Sequence, residues 1–351
     1  MKSYFAEKKE RIIRTLDSFS KEKQEQFNQI NKFAGESAEM LYRYAKSGKM
    51  IRGGLVYLGN ELFGGKEAEA SDAAALAMEF FQAAFLIHDD IMDRDEVRRG
   101  MPSMHMQFAV RGDDWRIFDT SQFGQSMAIC QGDIAFFLGF ELLEAVKSPN
   151  AGQICSFAAK EIGYVGFAQM QDVLYSSGSL LPEKREVLRL YTYKTGRYTF
   201  SVPLTVGAIL AGAEKSQIDS ISRLGELLGV LFQITDDELG LFGDEQELGK
   251  PIGSDIIERK KTIFYISLIE ELSGEDREAV KNVYAKDRVT EDDVRLVMDY
   301  MRSAGLKEKV DEYKQELYRK SMKIIDALDG TSEHHKEILI QLLDYNMKRK
   351  M

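Results

Sequence analysis

Apolar residues recur along the chain at the three- and four-residue spacing that places them on one face of an α-helix. No stretch alternates apolar and polar residues in the manner of a half-buried strand. Residues 111–124 are polar and are predicted to form a loop. The predicted helices cover residues 4–33, 35–46, 55–63, 67–93, 125–147, 151–177, a segment from Pro182 through Arg197, 199–213, 217–239, and several shorter stretches from Thr262 to the C-terminus. The pattern predicts an all-α protein.

The chain shows no sign of an internal domain boundary. Its 351 residues could hold two average domains, but it has only five prolines and no Pro/Ser-rich linker. We therefore predict one helical domain over residues 1–351. A net charge of −10 argues against a nucleic-acid partner, since nucleic-acid binders usually carry a basic excess.

Cellular location is predicted from cysteine usage and from the apolar stretches. Cys130 and Cys155 show no disulfide or metal-site spacing, and the N-terminus lacks the apolar core of a signal peptide. The longest apolar stretches, 73–87 and 201–213, are too short or too interrupted to span a bilayer. We expect a cytoplasmic protein without a membrane span.

Two aspartates close the most apolar of the predicted helices. Asp89 and Asp93 follow the apolar run 73–87, and four-residue spacing places their Cβ atoms roughly 5–6 Å apart on one helical face. Such a pair suits Mg²⁺, which proteins hold through one or two carboxylates together with substrate phosphate oxygens. Arg98 and Arg99 follow, and guanidinium groups are planar, permanently charged phosphate donors. The cluster is typical of a site for an apolar molecule with a phosphorylated head.

The same order of residues occurs a second time. Asp236 and Asp237 end the apolar run 224–234, and behind them come Lys250, Asp255, Lys260 and Lys261. Two acidic helix ends that face one cavity would hold a diphosphate through several metal ions. One such motif is a weak signal, whereas two that are each followed by cations favour a diphosphate site.

Three further polar groups are candidates for the same site. Lys49 and Arg52 lie between glycines at a predicted helix N-terminus, which favours an anion, although a solvated cation pair is the alternative. Gln82 interrupts an apolar run, and it either ties two helices together or meets a ligand. Lys194 and Thr195 precede a glycine on another helix, where a surface position is the alternative.

In combination these motifs resemble those of the trans-isoprenyl diphosphate synthases, the polyprenyl synthetases. The resemblance runs from about Gly48 to Lys261 and rests on Gly-Lys-x-x-Arg, Asp-Asp-x-x-Asp followed by Arg-Arg-Gly, Lys-Thr, Gln-x-x-Asp-Asp, and Gly-Lys-Pro-x-Gly-Ser-Asp. It implies a helical bundle around a deep central cavity, and a homodimer. It also implies head-to-tail (1′-4) condensation of isopentenyl diphosphate with an allylic diphosphate, which would be dimethylallyl, geranyl or farnesyl diphosphate.

The resemblance assigns a role to each candidate residue. Three Mg²⁺ ions would grip the allylic diphosphate, bound by Asp89, Asp93 and Asp236. The cations around that diphosphate would be Arg98, Lys194 and Lys250, with Lys260 beside the second motif. The metal-free pocket for isopentenyl diphosphate would consist of Lys49, Arg52, Gln82 and Arg99. The reacting centre would be lined by Thr195 and Gln233.

The same resemblance predicts product length from the helix before Asp89. The growing chain meets the residues four and five positions before that aspartate, with another layer one turn further, which here are Phe85, Ala84 and Phe81. Ala84 leaves room for one more isoprene unit, and Phe81 would form the floor. The expected product is geranylgeranyl diphosphate, with farnesyl diphosphate as the alternative.

The second motif departs from that of some relatives. Gly240 stands where they have a third aspartate, and in an unbroken helix Asp244 would lie roughly 12 Å beyond Asp236. Gly240 and Gly243 could instead end the helix and fold Asp244 back. Some members of the family carry the same glycine, so this departure does not predict a loss of activity. A low-activity or regulatory subunit of the same fold is the alternative, and the complete first motif argues against it. A terpene cyclase and an acidic helical scaffold are disfavoured by the isopentenyl pocket and by the apolar runs before the aspartates.

Overall fold

Helices make up nearly all of the computed structural model, as the sequence predicts. The structure describes residues 1–66, 68–178, 180–243 and 252–348. In chain order the helices are α1 (Lys2–Ile30), α2 (Lys32–Lys46), α3 (Ile51–Leu62), α4 (Ala68–Met92), α5 (Met104–Asp114), α6 (Thr120–Glu144), α7 (Ala151–Ser177), α8 (Lys184–Tyr191), a π-helix (Thr192–Ser201), α9 (Val202–Leu210), α10 (Lys215–Phe242), α11 (Ser254–Ile257), α12 (Ile263–Glu271), α13 (Gly274–Tyr284), α14 (Glu291–Ser303), α15 (Leu306–Asp326) and α16 (Glu333–Lys348). Within those described ranges the strands are two short ones, β1 (Val97–Arg98) and β2 (Met101–Pro102), which pair antiparallel.

The predicted loop over 111–124 is partly wrong, because α5 extends to Asp114 and α6 begins at Thr120. The start of α6 is set by Asp119, whose side chain accepts a hydrogen bond from the backbone N–H of Gln122 at 2.9 Å. A second early cap lies at Asn31, which accepts from Ala34 N at 2.8 Å and separates α1 from α2. These capping residues set helix boundaries that differ from the predicted ones, because apolar periodicity alone does not locate a helix end.

The chain divides by its internal contacts into two compact units. Unit 1 comprises Met1–Phe157 with Pro203–Ala213, and unit 2 comprises Ala158–Val202 with Glu214–Met351. The single domain over residues 1–351 and its central cavity stay predictions.

Unit 1 is built around helix α4, which packs on α6 and α3. Gly139 of α6 makes the approach possible, because a Cβ there would lie 2.5 Å from the Cε1 of Phe81. Gly132 lies two turns earlier on the same face of α6, and a Cβ there would lie 2.3 Å from the Nε2 of His88. The two glycines therefore bring α6 against the half of α4 that leads to the first acidic motif.

Unit 2 is built around helix α10, which packs on the π-helix. A Cβ on Gly229 would lie 2.1 Å from the Cα of Gly196, and one on Gly225 would lie 2.3 Å from the Cα of Ser201. The two backbones therefore touch, and neither can slide past the other. A π-helix is rare and is frequently found at functional sites. The segment carries two of the predicted site residues, Lys194 and Thr195.

Two helices are longer and more apolar than the stretches delimited from the sequence. By length and composition alone, Glu69–Met92 and Thr120–Glu144 could cross a membrane. Burial separates the two, because 78% of the apolar window of the first but only 44% of the second lies inside the protein. The first has the burial of a core helix. The second keeps an exposed apolar face.

Candidate active site

The first acidic motif ends helix α4. The backbone N–H of Asp93 donates to the carbonyl of Asp89 at 2.8 Å, so the helical turn predicted between them is formed. Both residues are half-buried. Two accessible carboxylates one turn apart fit Mg²⁺, for which one or two carboxylates beside phosphate oxygens suffice. Over 1–66, 68–178, 180–243 and 252–348, no group of three or more His, Cys, Asp or Glu side chains forms a metal site by itself.

Asp90, between those two residues, faces the protein interior. It is fully buried and accepts hydrogen bonds from Tyr44 Oη at 3.0 Å and from Arg98 Nε at 2.6 Å. Arg98 Nη2 also donates to Asp95 at 2.6 Å. Burial raises the pKa of Asp90 to about 6, while the Arg98 guanidinium acts in the opposite direction. Arg98, predicted to contact the allylic diphosphate, is therefore held by two carboxylates of its own motif.

A tight hairpin turn places the second arginine of the motif. Arg98 pairs with Met101, and the two residues between them, Arg99 and Gly100, both have positive φ. Positive φ at both positions is what a type I′ turn requires, and it explains the glycine. The turn leaves Arg99 Nη1 at 3.4 Å from Ser47 Oγ, with its guanidinium against Gly48.

A buried carboxylate joins the cations of the predicted isopentenyl diphosphate pocket. Glu79 is buried and accepts from the backbone N–H of Gly53, in the first turn of α3, at 2.8 Å. Burial raises the pKa of Glu79, and Arg52 and Arg99 oppose that rise. The structure thus brings Arg52 and Arg99 to one carboxylate. Sequence reasoning missed Glu79, although a lone acid inside an apolar run one turn before a buried glutamine was a visible signal.

The two other residues of the predicted pocket, Lys49 and Gln82, differ in their exposure to solvent. Lys49 is exposed just before α3, and Gln82 is 8% exposed within α4. Met50, between Lys49 and the helix, has φ of 54°, a left-handed conformation that non-glycine residues seldom adopt. Such strained residues cluster at ligand sites.

The predicted chain-length residues form an aromatic cluster with α6. Phe81 and Ala84 are fully buried, and the ring of Phe81 lies 5.0 Å from that of Phe140. Phe85 meets Phe136 edge-to-face at 4.9 Å. Sequence reasoning placed the floor on one helix and missed the two phenylalanines that α6 supplies to it.

The second acidic motif lies on α10, inside unit 2. Asp236 is half-buried, whereas Asp237 is 4% exposed. Asp237 accepts from Gln233 Nε2 at 2.8 Å and from the hydroxyl of Tyr191. Burial and the neighbouring Asp255 raise the pKa of Asp237 well above its usual value, while those two hydrogen bonds lower it. Sequence reasoning named Asp237 but gave it no role, and it missed Tyr191.

The π-helix presents both of its predicted residues to polar partners. Thr195 Oγ1 donates to Gln233 Oε1 at 2.8 Å, so the two predicted residues of the reacting centre are in contact. The ammonium of Lys194 pairs with the carboxylate of Asp172 on α7. Asp172 is thereby the partner of a predicted phosphate-binding cation.

The last predicted cations follow α10. Lys260 Nζ lies 2.5 Å from a carboxylate oxygen of Glu258. Helix α10 continues through Gly240 and ends at Phe242, with Gly243 as its cap. Lys250 and Asp244 lie outside the described residues, so their predicted positions stay predictions.

Comparison with known proteins agrees with this arrangement. The polyprenyl synthetase family model matches residues 36–301. The chain is 29% identical over 311 residues to the geranylgeranyl diphosphate synthase of Sulfolobus acidocaldarius, with 88% of each chain covered. It is 34% identical over 248 residues to the short chain isoprenyl diphosphate synthase of Methanothermobacter thermautotrophicus, with 67% of each covered.

A solved structure gives the same result for the fold. Geranylgeranyl pyrophosphate synthase from Corynebacterium glutamicum, complexed with isoprenyl diphosphate and magnesium, superimposes with a TM-score of 0.89 at 26% identity, over 99% of each chain. The all-α architecture predicted from periodicity is confirmed. The family match covers most of the chain and both acidic motifs, and the chain therefore belongs to the polyprenyl synthetase family.

Proposed function

We propose that this prenyltransferase condenses isopentenyl diphosphate with an allylic diphosphate, head to tail, and releases geranylgeranyl diphosphate. The observation that carries the proposal is helix α4. One helix bears the buried Phe81 and the half-buried Phe85, and its C-terminal end carries the half-buried carboxylates Asp89 and Asp93. An apolar wall that leads to an acidic end suits a molecule with a prenyl tail and a diphosphate head.

The residues divide the work between the two substrates. Asp89, Asp93 and Asp236 would hold three Mg²⁺ ions, which supply Lewis-acid neutralisation of the leaving diphosphate. By the family resemblance, Arg98, Lys194, Lys250 and Lys260 would add positive charge that stabilises this head group. The second diphosphate is bound without metal by Lys49, Arg52, Gln82 and Arg99.

The reaction needs no nucleophilic side chain. The allylic C–O bond breaks, the double bond of isopentenyl diphosphate attacks the allylic cation, and the departing diphosphate takes the proton that is lost. Positioning of the two substrates supplies much of the rate. By the family resemblance, Thr195 and Gln233 would line the reacting centre, and water that would quench the cation must be excluded from it.

The aromatic cluster sets the product length. Phe81 packs against Gly139 and Phe140, which supports it as the floor of the tail pocket. The floor of the tail pocket is therefore Phe81, about one helical turn before Ala84 on α4. Farnesyl diphosphate is the second candidate, because Phe85 is braced edge-to-face by Phe136 and would close the path earlier.

The working form is a homodimer in the cytoplasm. Helix α6 exposes Ile129, Ile134 and Phe137, which recur on one helical face. Phe137 is 73% exposed, and an apolar face of this kind is covered in most proteins. A second copy of the chain would cover it, and size-exclusion chromatography with light scattering measures the dimer directly. A monomer in solution would contradict the assignment.

A product assay tests the activity. Purified protein is incubated with labelled isopentenyl diphosphate, Mg²⁺ and, separately, dimethylallyl, geranyl and farnesyl diphosphates, and the dephosphorylated alcohols are sized. We expect a twenty-carbon alcohol. A fifteen-carbon alcohol would keep the reaction and move the floor to Phe85. No elongation from any starter would favour a low-activity or regulatory subunit.

A further inference from the structure

An unbroken line of hydrogen bonds runs through unit 2 from its interior to the predicted reacting centre. The backbone N–H of Ile263 donates to the Tyr191 hydroxyl at 2.9 Å, and that hydroxyl donates to Asp237 Oδ2. Gln233 Nε2 donates to Asp237 Oδ1 at 2.8 Å, and Thr195 Oγ1 donates to Gln233 Oε1 at 2.8 Å. Five groups from three helices and the π-helix thus share one line of polar contacts.

The donor and acceptor atoms of these groups determine which way each hydrogen bond along the line points. Asp237 Oδ1 accepts from Gln233 Nε2, so the amide turns its nitrogen toward Asp237. The amide oxygen then faces Thr195 and takes the only hydroxyl proton that this side chain has. The Thr195 oxygen is left with its lone pairs directed away from Gln233. It can accept but cannot donate on that side.

Burial and packing keep the line in place. Tyr191 and Asp237 are 7% and 4% exposed, whereas Gln233 and Thr195 are half-buried. The line therefore begins in the core and ends at a half-buried side chain. Backbone contact between Gly196 and Gly229 prevents α10 from shifting along the π-helix.

We propose that Asp237 and Tyr191 are positioning residues that hold the Gln233 amide and keep the Thr195 oxygen an acceptor toward the allylic group. This inference rests on the proposed prenyl transfer and adds to it a role for the second aspartate of the motif. An oxygen with free lone pairs stabilises positive charge, and a hydroxyl hydrogen pointed at the same place would oppose it. It follows that Asp237 acts through Gln233 and is not a magnesium ligand.

Two isosteric variants test the proposal. Asp237→Asn cannot accept from Tyr191 and Gln233 at once, and Tyr191→Phe removes the hydroxyl alone. Because small misplacements at a reacting centre can cost about 10²-fold, we expect kcat to fall about 10–100-fold in the first and about tenfold in the second. The KM for isopentenyl diphosphate and the Mg²⁺ concentration for half-maximal rate should stay within about twofold.

The matched control is Tyr300→Phe, which deletes another Tyr–Asp hydrogen bond of unit 2, the one from Tyr300 Oη to Asp276 at 2.7 Å. Its rate should equal that of the wild type. Unchanged kcat in both site variants would overturn the proposal. So would an Asp237→Asn enzyme that regains full rate at high Mg²⁺, because that behaviour identifies a metal ligand.

A double-mutant cycle separates positioning from mere support of the fold. If Tyr191 acts through Thr195, then Tyr191→Phe should cost little in a Thr195→Val background and its full factor in a Thr195→Ser background, which keeps the hydroxyl. Equal losses in both backgrounds would contradict the proposal. Failure of the wild type to elongate any allylic diphosphate would instead refute the proposed function, so the two failures are distinguishable.

Discussion

Each of the two acidic motifs contains a pair of adjacent aspartates, and the two pairs make the same contacts except for one hydrogen-bond partner. In each, the first aspartate is half-buried, and the second is buried and accepts from a tyrosine hydroxyl, Tyr44 for Asp90 and Tyr191 for Asp237. The other oxygen of the buried aspartate differs in its partner. In unit 1 it takes the charged Arg98, and in unit 2 it takes the neutral amide of Gln233. The buried aspartate of the first motif therefore positions a charged guanidinium, and that of the second motif positions a neutral amide dipole.

The largest effect is expected from the half-buried members, which should behave alike in both motifs. Asp89→Ala and Asp236→Ala each remove a predicted magnesium ligand, which is worth several kcal/mol, so kcat should fall about 10³-fold. Steady-state rates across a Mg²⁺ titration measure this. Asp326→Ala, an exposed change on α15, is the control. An unaltered Mg²⁺ requirement in either variant would contradict the assignment of that residue.

The next effect separates the two buried members. Asp90→Asn leaves Arg98 with one carboxylate, so we expect the KM for the allylic diphosphate to rise about tenfold or more, with kcat less affected. Breaking a buried ion pair also costs about 3 kcal/mol of unfolding free energy, measurable in urea. Asp95→Asn is the matched change at the more exposed of the two carboxylates that hold Arg98, and it should cost less than about 1 kcal/mol. If Asp90→Asn lowers only kcat, the division between charge and dipoles is wrong.

A smaller effect isolates the tyrosines. Tyr44→Phe and Tyr191→Phe delete the same hydroxyl bond in the two motifs. We expect Tyr44→Phe to raise the allylic KM about threefold, since Arg98 still holds Asp90, and Tyr191→Phe to act on kcat. Full kinetic profiles for both variants show which parameter moves. The same parameter moving in both would remove the distinction.

The smallest effect on rate is expected from the aromatic cluster that precedes the first motif and has no described counterpart at the second. Phe81→Ala should lengthen the product while turnover stays within about twofold, because the change lies away from the reacting centre. Chromatography of the alcohols measures chain length. Phe5→Ala, a change on α1 that removes another aromatic ring packed on a glycine of unit 1, is the control for lost packing. An unchanged product length in Phe81→Ala would locate the floor elsewhere.

The sequence supports the fold class and the acidic motifs because both depend on local spacing. The 3.6-residue period predicts helices, and the four-residue interval between Asp89 and Asp93 predicts their shared face. What it does not reveal are partners that come from distant positions. Asp90 meets Tyr44 across 46 residues, and Asp237 meets Tyr191 across the same interval.

Geometry that departs from the ordinary helix was also beyond the sequence. Nothing in the apolar pattern distinguishes the π-helix over Thr192–Ser201 from the α-helix on either side. The aromatic floor shows the same limit, since Gly139 and Phe140 look like ordinary helix residues until α4 packs on them. The loop predicted over residues 111–124 was partly wrong for a different reason. The polar composition predicted a loop, but the capping side chain of Asp119 allows α6 to begin at Thr120.

The π-helix makes residue count part of the site. Each residue of an α-helix turns the chain by about 100°, and the wider π turn takes up more residues per revolution. Deletion of one residue between Thr195 and Ser201 would let the segment close as an α-helix and would rotate everything before it relative to everything after it. Lys194 and Thr195 would then face away from Gln233 with no side chain of the site altered. In this enzyme, an insertion or deletion in that segment is therefore as consequential as a substitution of the site residues themselves.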